Sequence, residues 1–286
     1  MQRFMETPKF INPTYEKNQE RIEFKKLYQQ REKMTFPGGE FEYIDISPEK
    51  ITGKDIFIAV GTPWNWELME DFTFQFWQAG HRVTALMHPE LDLKAAHKYQ
   101  PEIHRPKALE TFFENKPLVD VTVIAYSYGF IDTLRKGSAG IGRLVAINPA
   151  GLSDVNPIKH SVNALKSASR VFSSEDKKSK AEAEKEQLLV KTFLKQDLLK
   201  SIKEVIGAGS TDVSQELSEF RKKMPVIIFR NIDDTLVPPQ KANDQTFRKL
   251  ETGGNHLGPF VREEQAQEII ATIEKMEKEE KPVIAS

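Results

Sequence analysis

The chain has 286 residues, of which 39% are hydrophobic and 29% are charged, so it is long enough for one large α/β domain or a domain with an insertion. Its formal net charge of −1 argues against a nucleic-acid binder, which normally carries a basic excess. It contains no cysteine, which excludes disulfides, thiolate zinc sites and cysteine nucleophiles. Because no secretory signal and no apolar run of the roughly 20 residues needed to cross a bilayer is visible, we expect a cytoplasmic protein without a membrane span.

The first 35 residues are polar and have no clear strand pattern. Residues 15–34 have the spacing of a single charged amphipathic helix. The sequence FPGG at 36–39 is typical of a chain break. We therefore expect residues 1–35 to form a polar N-terminal extension that packs on the main domain, with a partner-binding arm as the alternative.

After this break, short apolar runs alternate with helical patterns. Strands are predicted at residues 41–46, 55–60, 83–87, 119–125, 144–148 and 226–230. Helices are predicted at residues 66–79, 107–115, 130–135 and 263–277. Strands that alternate with helices and consist of continuous apolar runs predict an α/β fold, with a mostly parallel central sheet covered by helices on both faces.

The alternation is interrupted once. No strand is evident from residue 152 to residue 223, and apolar residues within 181–206 follow a period near 3.6 residues. The charge run SSEDKKSKAEAEKEQ in this region is most simply a solvated face. We therefore expect a helical insertion at residues 152–223, above a core formed by residues 36–151 and 224–286.

A serine stands on the predicted junction between a strand and a helix. The sequence AYSYG places Ser127 there, with Ala125 two residues before it and Gly129 two residues after it. A sharp strand-to-helix turn lifts a serine hydroxyl clear of the backbone, and it needs small residues at those two positions because the strand and helix pass close together. The helix also directs its N-terminal amides towards the place where an oxyanion would form. The alternative is a serine that caps the helix.

A serine hydroxyl becomes a good nucleophile only when a base removes its proton. The predicted strand 226–230 leads into NIDDTLVP, where Asp234 is the expected orienting acid and Asp233 is its close competitor. The glycine-rich sequence GGNHLG places His256 just before the last helix, where it is the expected base. A turn or a helix cap is the alternative role for the aspartates.

An oxyanion hole needs two backbone donors. Tyr128 directly follows the serine and supplies one N–H group, and Thr62 in the sequence GTPW supplies the other, since the proline after it has none. Gly61 lets this loop come close, and Trp64 and His88 are expected to border the substrate pocket, with ordinary packing as the alternative. No histidine pair with metal-ligand spacing is present, and we expect neither a metal nor a cofactor.

Together these features resemble the α/β-hydrolase superfamily, whose catalytic residues follow the same chain order of serine, acid and histidine. NIDDTLVP resembles its acid loop, GGNHLG its histidine loop and GTPW the turn after its third strand. Four features depart from the family pattern. Asn231 stands where the acid loop usually has a glycine, and ALMHPELD stands where a Pro-Gly-rich loop often follows the next strand. Val60 replaces the histidine that commonly precedes the glycine of that turn, and Ala125 replaces the first glycine of the serine motif.

The resemblance covers roughly residues 41–276, with the insertion at residues 152–223 matching a helical cap or lid. It implies an esterase- or lipase-like serine hydrolase. Such an enzyme would cleave an ester, thioester or amide of a small to medium acyl group through an acyl-enzyme. Two alternatives stay open on the same framework: a carbon–carbon bond hydrolase that uses the same triad, and a non-enzymatic, hydrolase-like sensor. A small-molecule acyl substrate is the expected partner, and the sequence indicates neither the natural substrate nor the oligomeric state.

Overall fold

The computed structural model describes residues 13–61, 65–87, 99–152, 184, 187–188, 191, 198–231, 234, 247–249, 256 and 258–279. Within these residues eight strands form one sheet. No helix in the same part of the chain is both long and apolar enough to span a membrane.

The central sheet is mostly parallel. Its strands are β1 (Glu32–Phe36), β2 (Gly39–Ile46), β3 (Asp55–Ala59), β4 (Arg82–Leu86), β5 (Val121–Tyr126), β6 (Ile141–Ile147), β7 (Val226–Arg230) and β8 (Phe247–Lys249). Their order across the sheet is β1-β2-β4-β3-β5-β6-β7-β8. The pairings β1–β2 and β2–β4 are antiparallel, and the others are parallel. Because β3 to β7 are parallel, their carboxyl ends meet at one edge of the sheet, where the candidate site lies.

Helices cover both faces of this sheet. They are α1 (Pro13–Tyr28), α2 (Trp66–Gln78), α3 (Pro101–Asn115), α4 (Tyr128–Lys136), α5 (Leu198–Ser210), α6 (Ser214–Lys223), α7 (Gly258–Val261) and α8 (Glu263–Glu279). On one face α1 and α2 bury Phe24 and Phe72 in a common apolar cluster with α8. On the other face α3 and α4 bury Leu109 and Ile131 in a second cluster with α6. The predicted α/β fold with a doubly covered sheet is confirmed.

The N-terminal segment contains a strand that the sequence analysis missed. The prediction of one helix over residues 15–34 is wrong, because α1 ends at Tyr28 and β1 follows at residues 32–36. The FPGG sequence makes the hairpin turn between β1 and β2, and Gly38 adopts a φ of 132° there, which favours glycine. Residues 32–35 of the predicted polar extension are therefore part of the sheet.

The preceding helix α1 also packs on the core. Phe24 is fully buried, and the Tyr28 hydroxyl donates a hydrogen bond of 2.6 Å to the backbone carbonyl of Trp66. Arg21 forms ion pairs with Glu70 and Asp71 on α2. Apolar burial and these polar contacts together hold α1 against α2.

The structure describes part of the predicted insertion. In that part, α5 and α6 are helical, and α5 continues to Ser210, beyond the predicted end at residue 206. Residues 153–183, and most of 184–197, lie outside the described residues. Ahead of the insertion, α3 begins at Pro101 instead of residue 107, because a proline is favourable in the first turn and the later Pro106 does not end the helix.

Candidate active site

Ser127 occupies a tight turn between β5 and α4. Its backbone has φ 51° and ψ −118°, a conformation that residues with a Cβ atom rarely adopt. The turn is held by β6, since the Ser127 N–H group donates to the carbonyl of Ile147 (3.0 Å) and its own carbonyl accepts from the N–H group of Ala150 (3.1 Å). Because the surrounding backbone fixes this strained residue, the serine hydroxyl has a defined position at the carboxyl edge of the sheet.

Small residues on both sides of the serine allow the strand and helix to approach closely. A Cβ atom on Gly129 would lie 2.2 Å from the backbone carbonyl oxygen of Ala59, well inside van der Waals contact. Ala125 is fully buried between Ala59 on β3 and Ala146 on β6. The small residues of AYSYG therefore allow the close approach of strand and helix that the predicted turn requires.

Three side chains that are far apart in the sequence meet at this turn. His256 Nε2 lies 3.0 Å from Ser127 Oγ, and His256 Nδ1 lies 2.6 Å from Asp234 Oδ2. All three residues are buried. A carboxylate next to Nδ1 favours the tautomer with the proton on that nitrogen, which leaves the Nε2 lone pair directed at the serine hydroxyl. This is the arrangement that a base needs to activate a serine.

Hydrogen bonds to the backbone hold both Asp234 and His256 in place. Asp234 follows β7 by four residues, and its N–H group donates to the carbonyl of Asn231 (3.3 Å). His256 precedes α7, and its backbone carbonyl accepts hydrogen bonds from the Tyr126 hydroxyl (2.5 Å) and from Asn148 Nδ2 (3.1 Å). Neither Tyr126 nor Asn148 stands in a local sequence pattern that marks it as a residue of the site.

The candidate oxyanion hole is described in part. Tyr128 is the first residue of α4, so its N–H group belongs to the unsatisfied N-terminal turn of that helix. Gly61 is buried just beyond the end of β3. Thr62, Trp64 and His88, the other predicted oxyanion and pocket residues, lie outside the described residues, as does Asp233, the competitor for the acid.

The strands β3 and β6 pair with the two edges of β5, which leads into Ser127. Asn148 follows β6, and a buried charged cluster lies on the β3 side, where it contacts Val60. We call it the Arg105 cluster. It consists of Arg105 on α3, Asp132 on α4 and Glu204 on α5, with the rings of Tyr99 and Tyr128 packed beside them.

The Arg105 guanidinium connects several elements of the fold. Its Nε donates to Asp132 Oδ2 (2.8 Å), and its Nη2 donates to the backbone carbonyl of Val60 (3.0 Å). Its Nη1 lies 3.5 Å from Glu204 Oε1, and its Cζ lies 4.4 Å from the centre of the Tyr128 ring. Arg105, on α3, thus holds the backbone of Val60 at the start of the loop that follows β3.

Burial and charge shift the ionisation of this cluster. Burial raises the pKa of Asp132 to about 6, although the charge of Arg105 acts in the opposite direction. Burial opposes the charge of Arg105, but the nearby carboxylates of Asp132 and Glu204 outweigh it and raise the pKa of the guanidinium. The pKa of Tyr128 is also raised, first by burial and then by Asp132. Two buried carboxylates therefore share one buried guanidinium.

The described residues contain no group of three or more His, Cys, Asp or Glu side chains arranged to hold a metal ion. The charged residues nearest the candidate site instead bond to one another and to the backbone, as the Arg105 cluster does.

Comparisons with known proteins were consistent with this geometry at the level of the fold. No protein-family model matches the chain, and no curated protein matches it either. Among solved structures, it is similar to a bromoperoxidase from Bacillus anthracis, with 18% identity, a TM-score of 0.60, and coverage of 82% of this chain and 95% of the other.

Two further structures are esterases by their descriptions. An esterase from Exiguobacterium antarcticum has 13% identity and a TM-score of 0.61, with 84% of this chain and 99% of the other covered. A structure from a study of carboxylesterases of Nitrososphaera gargenis has 11% identity and a TM-score of 0.65, with 87% and 99% covered. At such low identities the likeness concerns the architecture alone. The chain therefore has the α/β-hydrolase fold.

Proposed function

We propose that this protein is a serine hydrolase that transfers an acyl group from a carboxylic ester, or a related thioester or amide, to water. The observation that carries the proposal is the pair of contacts made by His256, 3.0 Å from Ser127 Oγ and 2.6 Å from Asp234 Oδ2. A serine that only capped α4 would not need a buried imidazole and carboxylate in line with its hydroxyl. The fold shared with esterases is consistent with this activity.

In the proposed reaction His256 removes the proton from Ser127 as its oxygen attacks the carbonyl carbon of the substrate. The N–H group of Tyr128 stabilises the negative oxygen of the tetrahedral intermediate, with Thr62 as the proposed second donor. His256 then protonates the leaving group as its bond to the carbonyl carbon breaks. In the second half of the reaction His256 takes a proton from water, which attacks the acyl-enzyme, and returns it to Ser127 Oγ as the carboxylic acid leaves. Asp234 holds the imidazole in the required tautomer and stabilises its positive form.

We also propose that residues 152–223 act as a cap over the site. Glu204, in the described part of this segment, is buried against Arg105, which in turn contacts the backbone beside the oxyanion loop. The cap would bound the acyl pocket and favour small to medium acyl groups. We keep the cytoplasm as the proposed location.

The test is hydrolysis of a panel of p-nitrophenyl esters combined with fluorophosphonate labelling. Ser127→Ala is expected to lower kcat by about 10⁴-fold or more and to abolish labelling, because loss of one triad member removes most of the catalytic effect. Ser138→Ala, in the loop after α4, is the matched control and is expected to keep both signals. Retained ester hydrolysis in the Ser127 variant would refute the proposal.

The two neighbouring aspartates give a second, internal control. Asp234→Asn is expected to impair kcat severely, whereas Asp233→Asn should reduce it much less, because Asp234 contacts His256. The opposite result would assign the acid role to Asp233. Labelling without turnover of any ester would favour the sensor, and activity confined to vinylogous ketones would favour the carbon–carbon bond hydrolase.

A further inference from the structure

The end of β6 lies between the elements that carry the serine and the acid. β6 pairs with β5, which leads into Ser127, and with β7, which leads towards Asp234. Asn148 is the first residue after β6, and its N–H group donates to the carbonyl of Phe229 on β7 (2.9 Å). A side chain at this point can reach the loops on both sides of it.

The Asn148 amide bonds to both of the loops that carry the acid and the base. Its Oδ1 accepts a hydrogen bond from the N–H group of Asn231 (2.8 Å), at the start of the loop that contains Asp234. Its Nδ2 donates to the backbone carbonyl of His256 (3.1 Å). The residue is 1% exposed, so both bonds are shielded from water. One planar group thus fixes the separation between two loops that are distant in the sequence.

The backbone of Asn148 restricts which residues can fill this position. Its φ is 44°, in the left-handed region that asparagine, aspartate and glycine tolerate better than other residues. Of these three, only asparagine carries both an acceptor for Asn231 and a donor for His256. Asparagine is therefore the residue that satisfies both the backbone conformation and the two hydrogen bonds at position 148.

The consequence for the site follows from the sensitivity of catalysis to distance. Removing the Asn148 amide takes one hydrogen bond from the Asn231 N–H group and one from the His256 carbonyl, which keeps its bond from the Tyr126 hydroxyl. Each lost bond of this kind costs about 0.5–1.5 kcal/mol. A displacement of about 1 Å in a reacting group can reduce the rate about 10²-fold. Asn148 bonds to His256 itself and to Asn231, three residues before Asp234. Loss of these bonds would therefore let the two loops shift and would lengthen the hydrogen bond between His256 and Asp234.

We propose that Asn148 is a positioning residue, which sets the alignment of His256 with Asp234 and Ser127 by bonding to the acid loop and the base loop at the same time. This inference rests on the proposed function, because it assumes that the alignment of these three side chains serves catalysis. It does not require Asn148 to touch the substrate.

The central variant is Asn148→Gly, which removes both bonds while permitting the positive φ. We expect kcat for a p-nitrophenyl ester to fall about 10²-fold, with KM changed by less than about threefold, because substrate contacts are left in place. We also expect the downfield proton resonance of the His256 Nδ1–H group, bonded to Asp234, to weaken or disappear. A residue that only stabilised the fold would lower the melting temperature and leave both readouts unchanged.

Asn148→Asp keeps an acceptor for Asn231 and tolerates the same backbone, so it tests the bond to His256 alone and provides a second variant if the glycine substitution prevents folding. Its carboxylate would face the His256 carbonyl oxygen to oxygen, and we expect a fall in kcat and loss of the resonance here as well. Asn115→Gly, which removes an amide that bonds to Thr111 at the end of α3, is the remote control.

Unchanged kcat and an unchanged resonance in both Asn148 variants would overturn the inference. The resonance reports the contact between the imidazole and the carboxylate whether or not esters are hydrolysed. If Ser127→Ala kept its activity, the proposed function would fail, while the resonance of the Asn148 variants would still decide whether this residue aligns the two loops.

Discussion

The two buried polar regions on either side of Ser127 are built from different groups. The region around Asn148 holds the acid and base loops with amides, a phenol and backbone carbonyls, all of them uncharged at neutral pH. The Arg105 cluster holds the backbone after β3 with one guanidinium and two carboxylates, which are almost completely buried. Both regions connect elements that are distant in the sequence, but only the second is expected to respond to pH.

Because of this difference, the two regions are expected to respond differently to changes of pH and to the loss of one side chain. A neutral amide that bonds in two directions keeps its geometry over the whole physiological pH range, and its loss removes hydrogen bonds between uncharged groups only. A buried charge is costly unless it is paired, so the loss of one partner in a charged cluster leaves an uncompensated ion. We therefore expect substitutions in the Arg105 cluster to act mainly on stability, whereas those around Asn148 act mainly on kcat.

The largest expected effect comes from Arg105→Met. It leaves the carboxylates of Asp132 and Glu204 buried without their shared cation, and we expect a loss of about 3–5 kcal/mol in the free energy of unfolding. Urea unfolding at pH 7 measures it. Arg105→Lys, which retains the charge but not the forked geometry, should lose less. If Arg105→Met lost less unfolding free energy than Asn148→Gly, the contrast between the two regions would be contradicted.

A smaller effect is expected from the titration of Asp132. Its pKa is raised to about 6 in the folded protein from 3.8 in the unfolded chain, so the folded state holds the proton more tightly. The resulting stability is fully present below about pH 4 and is lost as the pH rises through about 6, by about 1–3 kcal/mol. The charged groups that act on this carboxyl are Arg105, Glu204 and Arg135.

Asp132→Asn removes that titration. We expect the difference in unfolding free energy between the parent protein and this variant to decrease as the pH rises from about 4 to about 6 and then to become constant. Urea unfolding at half-unit pH intervals over this range provides the measurement, and the remote control Asn115→Gly should show no such slope relative to the parent. A flat difference for Asp132→Asn would remove the pH contrast between the two regions.

The sequence was sufficient for some of these features because their signals are local. Continuous apolar runs predicted the buried strands, and the small residues around Ser127 predicted its turn. In contrast, β1 is short, polar and paired only at the edge of the sheet, so it has no apolar pattern to detect.

The connecting residues at the site escaped prediction for a different reason. Asn148 contacts residues 83 and 108 positions away, and Arg105 contacts one 99 positions away. An isolated asparagine or arginine has no periodicity, and its partners become apparent only when the parallel strands and the helices above them are placed. Ser127, Asp234 and His256 could be predicted as neighbours because each of them lies in a recognisable local motif.

The smallest expected effect, from Glu204→Gln, addresses the excess of negative charge in the Arg105 cluster. Glutamine keeps an oxygen that can accept the hydrogen bond from the Tyr99 hydroxyl, now 2.5 Å from Glu204 Oε1, and it removes one of the two buried carboxylates. We expect the free energy of unfolding at pH 7 to change by less than about 1 kcal/mol, because the lost attraction to Arg105 is offset by the smaller desolvation penalty. Since the charge of Glu204 is one of the causes that raise the pKa of Asp132, the stability loss assigned to Asp132 should also move to lower pH in this variant. If Glu204→Gln instead lost as much stability as Arg105→Met, with no movement along the pH axis, Arg105 and Glu204 would be an indispensable ion pair and the cluster would carry no excess charge.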